Sequence, residues 1–275
     1  MLDEPAIRRL ARQLGVRTNY AEQDYVNSWV LYAIYSTDVG ENLLFKGGTA
    51  LSKLYFPATW GFSEDLDFTV DGDYNGTESE LRDALETAER QSGIEFSIDD
   101  YYEGIDDGYP AYYVEVSIQY RAMFDHRNTT QLNIMADEVV AAAPVEHTHD
   151  YQDIDQFTIR AYSLAEIFGE KLRTIYQRAR GRDYYDLYQI VVGEETPSPA
   201  TVASIFDAKR AHAPEASYHT PPDPSNGLPN ASRVPIADDW ESTLPELVAD
   251  LPSLDAARDR LDAYLIETVA SELNE

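Results

Sequence analysis

Cysteine is absent from the 275 residues, and lysine is nearly so. Without cysteine there can be no disulfide bridge, no zinc–thiolate site and no cysteine nucleophile. The four lysines are Lys46, Lys53, Lys171 and Lys209. The first 30 residues contain no apolar stretch long enough for a signal peptide or a membrane span. We therefore expect a soluble cytoplasmic protein with no membrane partner.

Positive charge is in deficit, with 21 basic against 50 acidic residues and a net charge of −29. Such a field could serve to repel nucleic acid. Alternatively, the surface is halophilic, because in molar salt the screening length falls to about 3 Å and acidic groups keep a protein soluble. The acids are scattered through every segment while lysine is suppressed, which favours adaptation to salt. The lysines that remain then become candidates for specific roles.

Hydrophobic spacing predicts alternating helices and strands over the first 160 residues. The predicted helices are 3–14, 21–37, 49–55 and 77–92. The predicted strands are 43–45, 66–70, 94–98, 112–120 and 131–135, with an acidic turn at 99–107. This order indicates an α+β fold, in which helices flank a mixed β-sheet behind a helical N-terminal lead-in.

The remainder of the chain is expected to be mainly helical. A capping-box start at Ser163–Glu166 opens one helix, and further helical stretches are predicted at 182–192 and 240–273. Residues 212–237 hold six of the 14 prolines, so we expect an irregular surface segment outside the core. The predicted domains are a core at 1–160 and a helical C-terminal region at 161–275.

Asp65 and Asp67 are two residues apart in a stretch with strand character, so both carboxylates project to one face. There they can share divalent ions such as Mg²⁺, which prefers hard oxygen ligands. In so acidic a chain the spacing also arises by chance, as at Asp71–Asp73 and Asp153–Asp155, where a solvated turn is the simpler interpretation. Asp65 and Asp67 differ because they border an apolar strand downstream of a glycine turn.

Gly47, Gly48 and Thr49 lie between a predicted strand and a predicted helix. In that position, backbone N–H groups can point at phosphate oxygens and glycine allows close approach. A tight turn capped by Thr49 is the alternative. The segment is not a Walker loop, because the Gly-x4-Gly-Lys-Ser/Thr spacing is missing.

A strand, a glycine turn and a helix followed by a strand with Asp-x-Asp resemble the DNA polymerase β-like nucleotidyltransferase superfamily. More closely, the runs Lys46–Tyr55 and Phe62–Phe68 resemble the AbiEii/AbiGii family, which includes type IV toxin–antitoxin and abortive-infection toxins and the related MenT toxins. Glu22–Val26 is similar to the segment before the family's first motif. Glu170–Leu172 resembles its third motif and Arg182–Leu187 its fourth.

The resemblance spans about residues 20–190 and implies a nucleotidyltransferase fold. The roles it implies are nucleotide binding by Lys46, Gly47, Gly48 and Thr49, metal binding by Asp65 and Asp67, and active-site roles for Lys171 and for Asp183 or Asp186. It further implies Mg²⁺ or Mn²⁺ as cofactor, a nucleoside triphosphate as substrate, a tRNA 3′ end as acceptor and a cognate antitoxin. Many members carry arginine where Gly61 stands, so one phosphate or substrate contact is expected to be absent.

Lys171 lies on a predicted helix, from which its ammonium group can neutralise a triphosphate as a point charge and so act as a nucleotide-binding group. Pairing with Glu166 or Glu170 on the helix surface is the alternative. Asp183 and Asp186 are three residues apart on a helix and therefore near neighbours. One can orient Lys171 while the other faces substrate, or both can pair with nearby arginines.

Glu115, on the alternating strand 112–120, is a candidate for a third metal-binding carboxylate, and an ordinary outward-facing glutamate is the alternative. The histidines show no ligand spacing, so zinc is not expected. An arginine cluster beside Lys171 is the best candidate surface for a nucleic-acid backbone, against a solvated helical face. Its members are Arg173, Arg178, Arg180 and Arg182.

These observations favour a toxin-like, metal-dependent nucleotidyltransferase that acts on an RNA acceptor. A binding module that keeps the fold without turnover is the alternative from another class. A kinase-like phosphotransferase on the same scaffold is a further alternative, distinguished by whether phosphate or nucleotide reaches the acceptor.

Overall fold

The computed structural model describes most of the chain, in two compact units. The described ranges are 1–56, 65–74, 76–105, 112–124, 126–136, 138–178, 180–213, 217–218, 222–229, 234–248 and 251–273. The first unit comprises Met1–Glu138 with Pro144–Ala161, and the second Val139–Ala143 with Tyr162–Glu275. The assignment of the catalytic core to residues 1–160 stays a prediction.

The first unit is built on one seven-stranded sheet with the strand order β3-β4-β5-β2-β1-β7-β6. Its strands are β1 (Leu43–Lys46), β2 (Asp65–Val70), β3 (Glu95–Ile105), β4 (Tyr112–Arg121), β5 (Asn128–Met135), β6 (Val145–Tyr151) and β7 (Ile154–Ala161). β2 runs parallel to β5 and β1 parallel to β7, whereas the other neighbours are antiparallel. The predicted α+β fold with a mixed sheet is confirmed.

Two long helices cover the apolar face of this sheet. The helices of this unit are α1 (Glu4–Leu14), α2 (Thr18–Tyr35), α3 (Gly47–Ala50) and α4 (Glu78–Ser92), and a π-helical turn at Leu51–Tyr55 continues α3. Asn27 of α2 accepts a buried hydrogen bond from Thr130 of β5, and Tyr35 contacts Phe68 of β2. A capping box at Thr77 and Glu80 begins α4. The other sheet face carries the polar residues considered below.

The second unit is helical in its described parts. Its helices are α5 (Leu164–Arg178), α6 (Gly181–Val192), α7 (Pro199–His212), α8 (Val234–Asp238), α9 (Leu244–Leu247), α10 (Leu254–Tyr264) and α11 (Ala270–Leu273). Short 3-10 and π-helical segments lie between some of them, at Pro224–Asn226, Asp239–Thr243 and Leu265–Val269. No helix within the described ranges is both long and apolar enough to cross a bilayer.

Two sequence-based expectations about elements are wrong, and further elements were not predicted. β3 continues to Ile105 where an acidic turn was expected from residue 99, because antiparallel pairing with β4 supplies partners on both sides of a β-bulge between Ile98 and Asp100. The β6–β7 hairpin and α7 were not expected. In the Pro-rich stretch 212–237, Leu228 and Ile236 are buried, so its described part contributes to the core. Tyr176 anchors this stretch by donating a hydrogen bond to the Gly227 carbonyl at 3.0 Å.

Lys209 of α7 is buried in an ionic cluster of the second unit. Its Nζ lies 2.8 Å from the Glu166 carboxylate and 3.2 Å from that of Glu170, and donates to the Val139 carbonyl at 2.9 Å. Glu166 is fully buried and also accepts the backbone N–H groups of Ala141 and Ala142. The cluster therefore joins α5, α7 and the segment 139–143.

Substituting Lys209→Met should lower the free energy of unfolding by about 3–5 kcal/mol, because Glu166 would keep a buried charge without its cation. Arg82→Gln is the control, since Arg82 pairs with Glu78 at the surface of α4 and such pairs contribute about 0–1 kcal/mol. Urea-induced unfolding at pH 7 measures both. Equal small losses would contradict an essential cationic role for Lys209.

Candidate active site

A row of directly opposed residues crosses the polar face of the sheet. Lys46 of β1 lies opposite Asp67 of β2, Asp67 opposite Asn133 of β5, Asn133 opposite Glu115 of β4, and Glu115 opposite Tyr102 of β3. Opposed residues on neighbouring strands project to the same face. The row therefore brings a lysine, an aspartate, an amide, a glutamate and a tyrosine to one surface.

The glycine turn lies directly against Asp67. Gly47 has φ +79°, in the left-handed region that favours glycine. A Cβ atom at this position would lie 2.6 Å from Asp67 Oδ2. Thr49 completes the contact, because its hydroxyl donates to the Asp65 carbonyl at 2.5 Å. The first turn of α3, with Gly48, and the strand with the acidic pair therefore meet at one place.

Asp65 and Asp67 are both partly buried and share the face that Gly47 approaches. Asn133 donates from Nδ2 to Asp67 Oδ1 at 3.0 Å, which orients that carboxylate. Protein sites for Mg²⁺ commonly use one or two carboxylates together with substrate phosphates and water. Two adjacent aspartates beside a cradle that a Cβ would fill fit such an ion.

Glu115 is separated from Asp67 by the intervening strand β5 and is exposed. The residue next to Asp67 on the neighbouring strand is Asn133, an amide. In the described part of the chain no three His, Asp or Glu side chains are grouped so as to hold a metal. Participation of Glu115 as a third carboxylate stays a prediction.

Lys46 is buried immediately before the glycine turn. Its ammonium group pairs with Glu138, which also accepts a hydrogen bond from the Thr69 hydroxyl. The ammonium charge is thus opposed by a carboxylate. Direct contact of Lys46 with nucleotide stays a prediction. The ion pair with Glu138 anchors the end of β1, immediately before Gly47.

Lys53 fixes the other end of the helical segment that starts at Gly47. It is buried, and its Nζ donates to the Asp24 carboxylate at 2.7 Å, to the Asp24 carbonyl at 2.8 Å and to Ser28 Oγ at 2.8 Å. Tyr151 of β6 donates to the same Asp24 carboxylate. No individual role for Lys53 was predicted from the sequence, although the scarcity of lysine is a signal that points to it.

His149 lies beside this ion pair, buried, with its ring stacked on that of Tyr151 at 5.4 Å. Burial, and then the nearby charge of Lys53, lowers the pKa of His149 to about 4. Its Nε2 lies 3.3 Å from Ser28 Oγ. The ring is therefore neutral at pH 7 and belongs to the packing around Lys53.

Lys171 and two aspartates form a cluster within the second unit. Lys171 Nζ lies 3.3 Å from Asp183 Oδ1 and also pairs with Asp186. Burial opposes the charge of Lys171, yet Asp186 and Asp183 raise its pKa. Burial raises the pKa of Asp186. At Asp183 burial acts in the same direction, but the charges of Lys171 and Arg178 outweigh it and lower the pKa. Lys171 is thus a protonated cation paired with the aspartates, and neither Glu166 nor Glu170 is its partner here.

The arginine cluster is partly neutralised. Arg178 donates to the Asp183 carboxylate at 2.9 Å, Arg180 lies 3.9 Å from Asp239, and Arg173 donates to Gln177. A nucleic-acid surface at this cluster stays a prediction. Gly61 and the motif residues Phe62 to Glu64 lie outside the described residues.

Comparison with known proteins gives the family and the fold of the chain. The family model described as nucleotidyl transferase AbiEii toxin, type IV toxin–antitoxin system, matches residues 29–265. Among solved structures, the chain is similar to MenT4, a nucleotidyltransferase toxin from Mycobacterium tuberculosis H37Rv, with a TM-score of 0.65 at 18% identity. The alignment covers 98% of this chain and 92% of that one. No curated protein sequence matches the chain.

Substituting Gly47→Ala should destabilise the protein more than Gly93→Ala. Both glycines have positive φ, which is expected to cost about 1 kcal/mol in alanine, but a Cβ at Gly93 would meet nothing within 4 Å. The collision with Asp67 should add about 1–3 kcal/mol at Gly47. Urea-induced unfolding measures both variants, and equal losses would show that the Asp67 carboxylate moves aside freely.

The buried His149 should make stability depend on pH. Its folded pKa is about 4, below the unfolded value near 6.5, so its contribution is fully present above pH 6.5 and is lost as pH falls towards 4. At about 1.4 kcal/mol per pKa unit, the loss reaches about 3 kcal/mol at most. The free energy of unfolding of wild type minus that of His149→Phe, measured from pH 7 to pH 4.5, should fall accordingly. A difference that stays constant would contradict the neutral buried ring.

Proposed function

The chain belongs to the AbiEii family of nucleotidyl transferase toxins, and on that premise we propose that it transfers a nucleotide from a nucleoside triphosphate to an acceptor hydroxyl. The reaction would use Mg²⁺ or Mn²⁺. The single observation that carries the proposal is the contact of Gly47 with Asp67. It supports one pocket in which backbone N–H groups and carboxylate oxygens serve the same substrate.

The chemistry follows from what these residues can bind. Backbone N–H groups at the start of α3 would hold the β- and γ-phosphates, because glycine allows close approach and N–H groups favour anions. Asp65 and Asp67 would hold the divalent ion, with Asn133 orienting Asp67. When bound, such an ion supplies activation of the attacking hydroxyl and charge stabilisation of the leaving group.

The transfer balances as a substitution at the α-phosphorus of the triphosphate. A bond forms from the acceptor oxygen to that phosphorus, and the bond to the bridging oxygen between the α- and β-phosphates breaks. Pyrophosphate leaves, and the hydroxyl proton passes to solvent or to a carboxylate. If the γ-phosphate were transferred instead, the nucleoside diphosphate would leave and the enzyme would be a kinase.

We keep Lys171, Asp183 and Asp186 as proposed active-site residues, on the motif resemblance and on their buried charges. Retention of an ammonium group among buried carboxylates, in a chain with four lysines, supports a specific role. The proposed acceptor is RNA, in particular a tRNA 3′ end. A cognate antitoxin is the proposed protein partner, because the family consists of toxins of toxin–antitoxin systems.

The test is transfer of label from α-labelled nucleoside triphosphates to total tRNA, with Mg²⁺ and in high salt. In the double variant Asp65→Asn, Asp67→Asn the rate of transfer should fall about a hundred-fold or more, because ion binding and charge stabilisation are lost together. The matched control is Asp71→Asn, Asp73→Asn, which removes the same charge from a neighbouring turn and should retain activity.

Chelation by EDTA should abolish transfer, and added Mg²⁺ or Mn²⁺ should restore it. Activity that persists in the Asp65, Asp67 double variant would refute the metal assignment. Label that arrives only from the γ-position would replace the proposal by the kinase. Triphosphate binding by calorimetry without transfer from either position would replace it by a non-catalytic module.

A further inference from the structure

Tyr102 of β3 stands at the end of the polar row that begins at Lys46. Half of its surface (50%) is open to solvent, and among the residues that the structure describes no other phenylalanine, tyrosine or tryptophan is as exposed. The neighbours of Tyr102 on this face are Glu115, directly opposite, and Tyr113. This ring lies in line with Asp67 and is accessible to a ligand.

The ring of Tyr102 is held against the sheet. Its centroid lies 5.4 Å from that of Tyr113, with 36° between the planes. It also leans over Gly104, where a Cβ atom would come within 2.6 Å of the Tyr102 hydroxyl oxygen. The space left by glycine and the contact with a second tyrosine hold the ring in one place, which lowers the entropy lost when a ligand stacks on it.

The position of this pair relative to Asp67 follows from the strand order. From β2 through β5 and β4 to β3 there are three strand spacings, so the Cα atoms of Asp67 and Tyr102 lie about 14 Å apart. β1 and the glycine turn lie on the other side of β2. The acidic pair therefore lies between the glycine turn and the tyrosine pair.

Nucleotide transfer requires the attacking and leaving oxygens on opposite sides of the reacting phosphorus. In the proposed function the leaving pyrophosphate lies at the glycine turn, so the acceptor must approach over β5, β4 and β3. We propose that Tyr102, supported by Tyr113, stacks on a nucleobase of a single-stranded RNA acceptor next to its reacting end. This inference rests on the proposed function for the direction of approach.

The charges on this face indicate that a base, and not the phosphate backbone, contacts the pair. Glu115 lies directly opposite Tyr102 and is exposed, so a phosphate group there would be repelled. An uncharged base is not repelled, and aromatic rings accept any base because every base has a π-face. Single-stranded RNA, whose bases are free to stack, is the matching partner.

The test measures binding of a fluorescently labelled 12-nucleotide single-stranded RNA by anisotropy, with no triphosphate present. Tyr102→Leu should raise Kd about five-fold to a hundred-fold, the effect of losing one base–aromatic stack. Tyr102→Phe should keep wild-type affinity, because the ring remains. The matched control Tyr20→Leu alters a partly buried tyrosine on α2, which packs on the other sheet face, and should leave RNA binding unchanged.

Two further measurements distinguish base stacking from other causes of weaker RNA binding. The slope of log K against log salt should be the same for wild type and Tyr102→Leu, because tyrosine neutralises no phosphate. The Kd for the triphosphate with Mg²⁺ should not change. A changed salt slope would instead indicate lost backbone contacts, and weakened triphosphate binding would assign the stacked base to the nucleotide. Either result, or unchanged RNA affinity, would overturn the proposal.

Failure of the proposed function can be told apart, because RNA binding needs no turnover. The Asp65→Asn, Asp67→Asn protein should show the same dependence on Tyr102 as wild type. Tyr102-dependent RNA binding in a protein that transfers no label would refute the enzyme and retain the stacking site. Transfer to RNA without any dependence of RNA affinity on Tyr102 would refute the stacking site and retain the enzyme.

Discussion

The Asp67 carboxylate lies so close to Gly47 that a side chain at position 47 would collide with it. This close approach brings together two features that lie twenty residues apart in the chain. A phosphate bound to the N–H groups of the turn would come close to the carboxylate oxygens, where the two negative charges require a cation between them. In the proposed function a divalent ion bound by Asp65 and Asp67 would supply that cation, without need of a third carboxylate.

The few lysines of the chain place positive charge in the protein interior. All four are buried and paired with carboxylates: Lys46 with Glu138, Lys53 with Asp24, Lys171 with Asp183 and Asp186, and Lys209 with Glu166 and Glu170. Lys46 and Lys53 fix the two ends of the segment that begins at the glycine turn. Since a buried carboxylate without its cation is strongly destabilising, these positions resist the loss of lysine that the surface tolerates.

Elements that depend on local sequence were predicted. The strand, turn and helix around Gly47 and the same-face spacing of Asp65 and Asp67 follow from periodicity, and the structure has those elements. Features that depend on partners distant in sequence were not predicted: β3 is lengthened by pairing with β4, and Leu228 is buried by tertiary packing. Asn133 and Tyr102 were not identified, because only strand order and register bring them into line with Asp67.

A net charge of −29 would oppose the proposed RNA acceptor in dilute buffer but not in molar salt. There the screening length is about 3 Å, so repulsion from distant acids disappears, and so does the attraction that arginine gives to a phosphate backbone. Stacking on an aromatic ring releases no counterions and keeps its strength as salt rises. A half-exposed tyrosine supported by a second ring is therefore a form of nucleic-acid contact that an acidic protein can retain where salt removes the others.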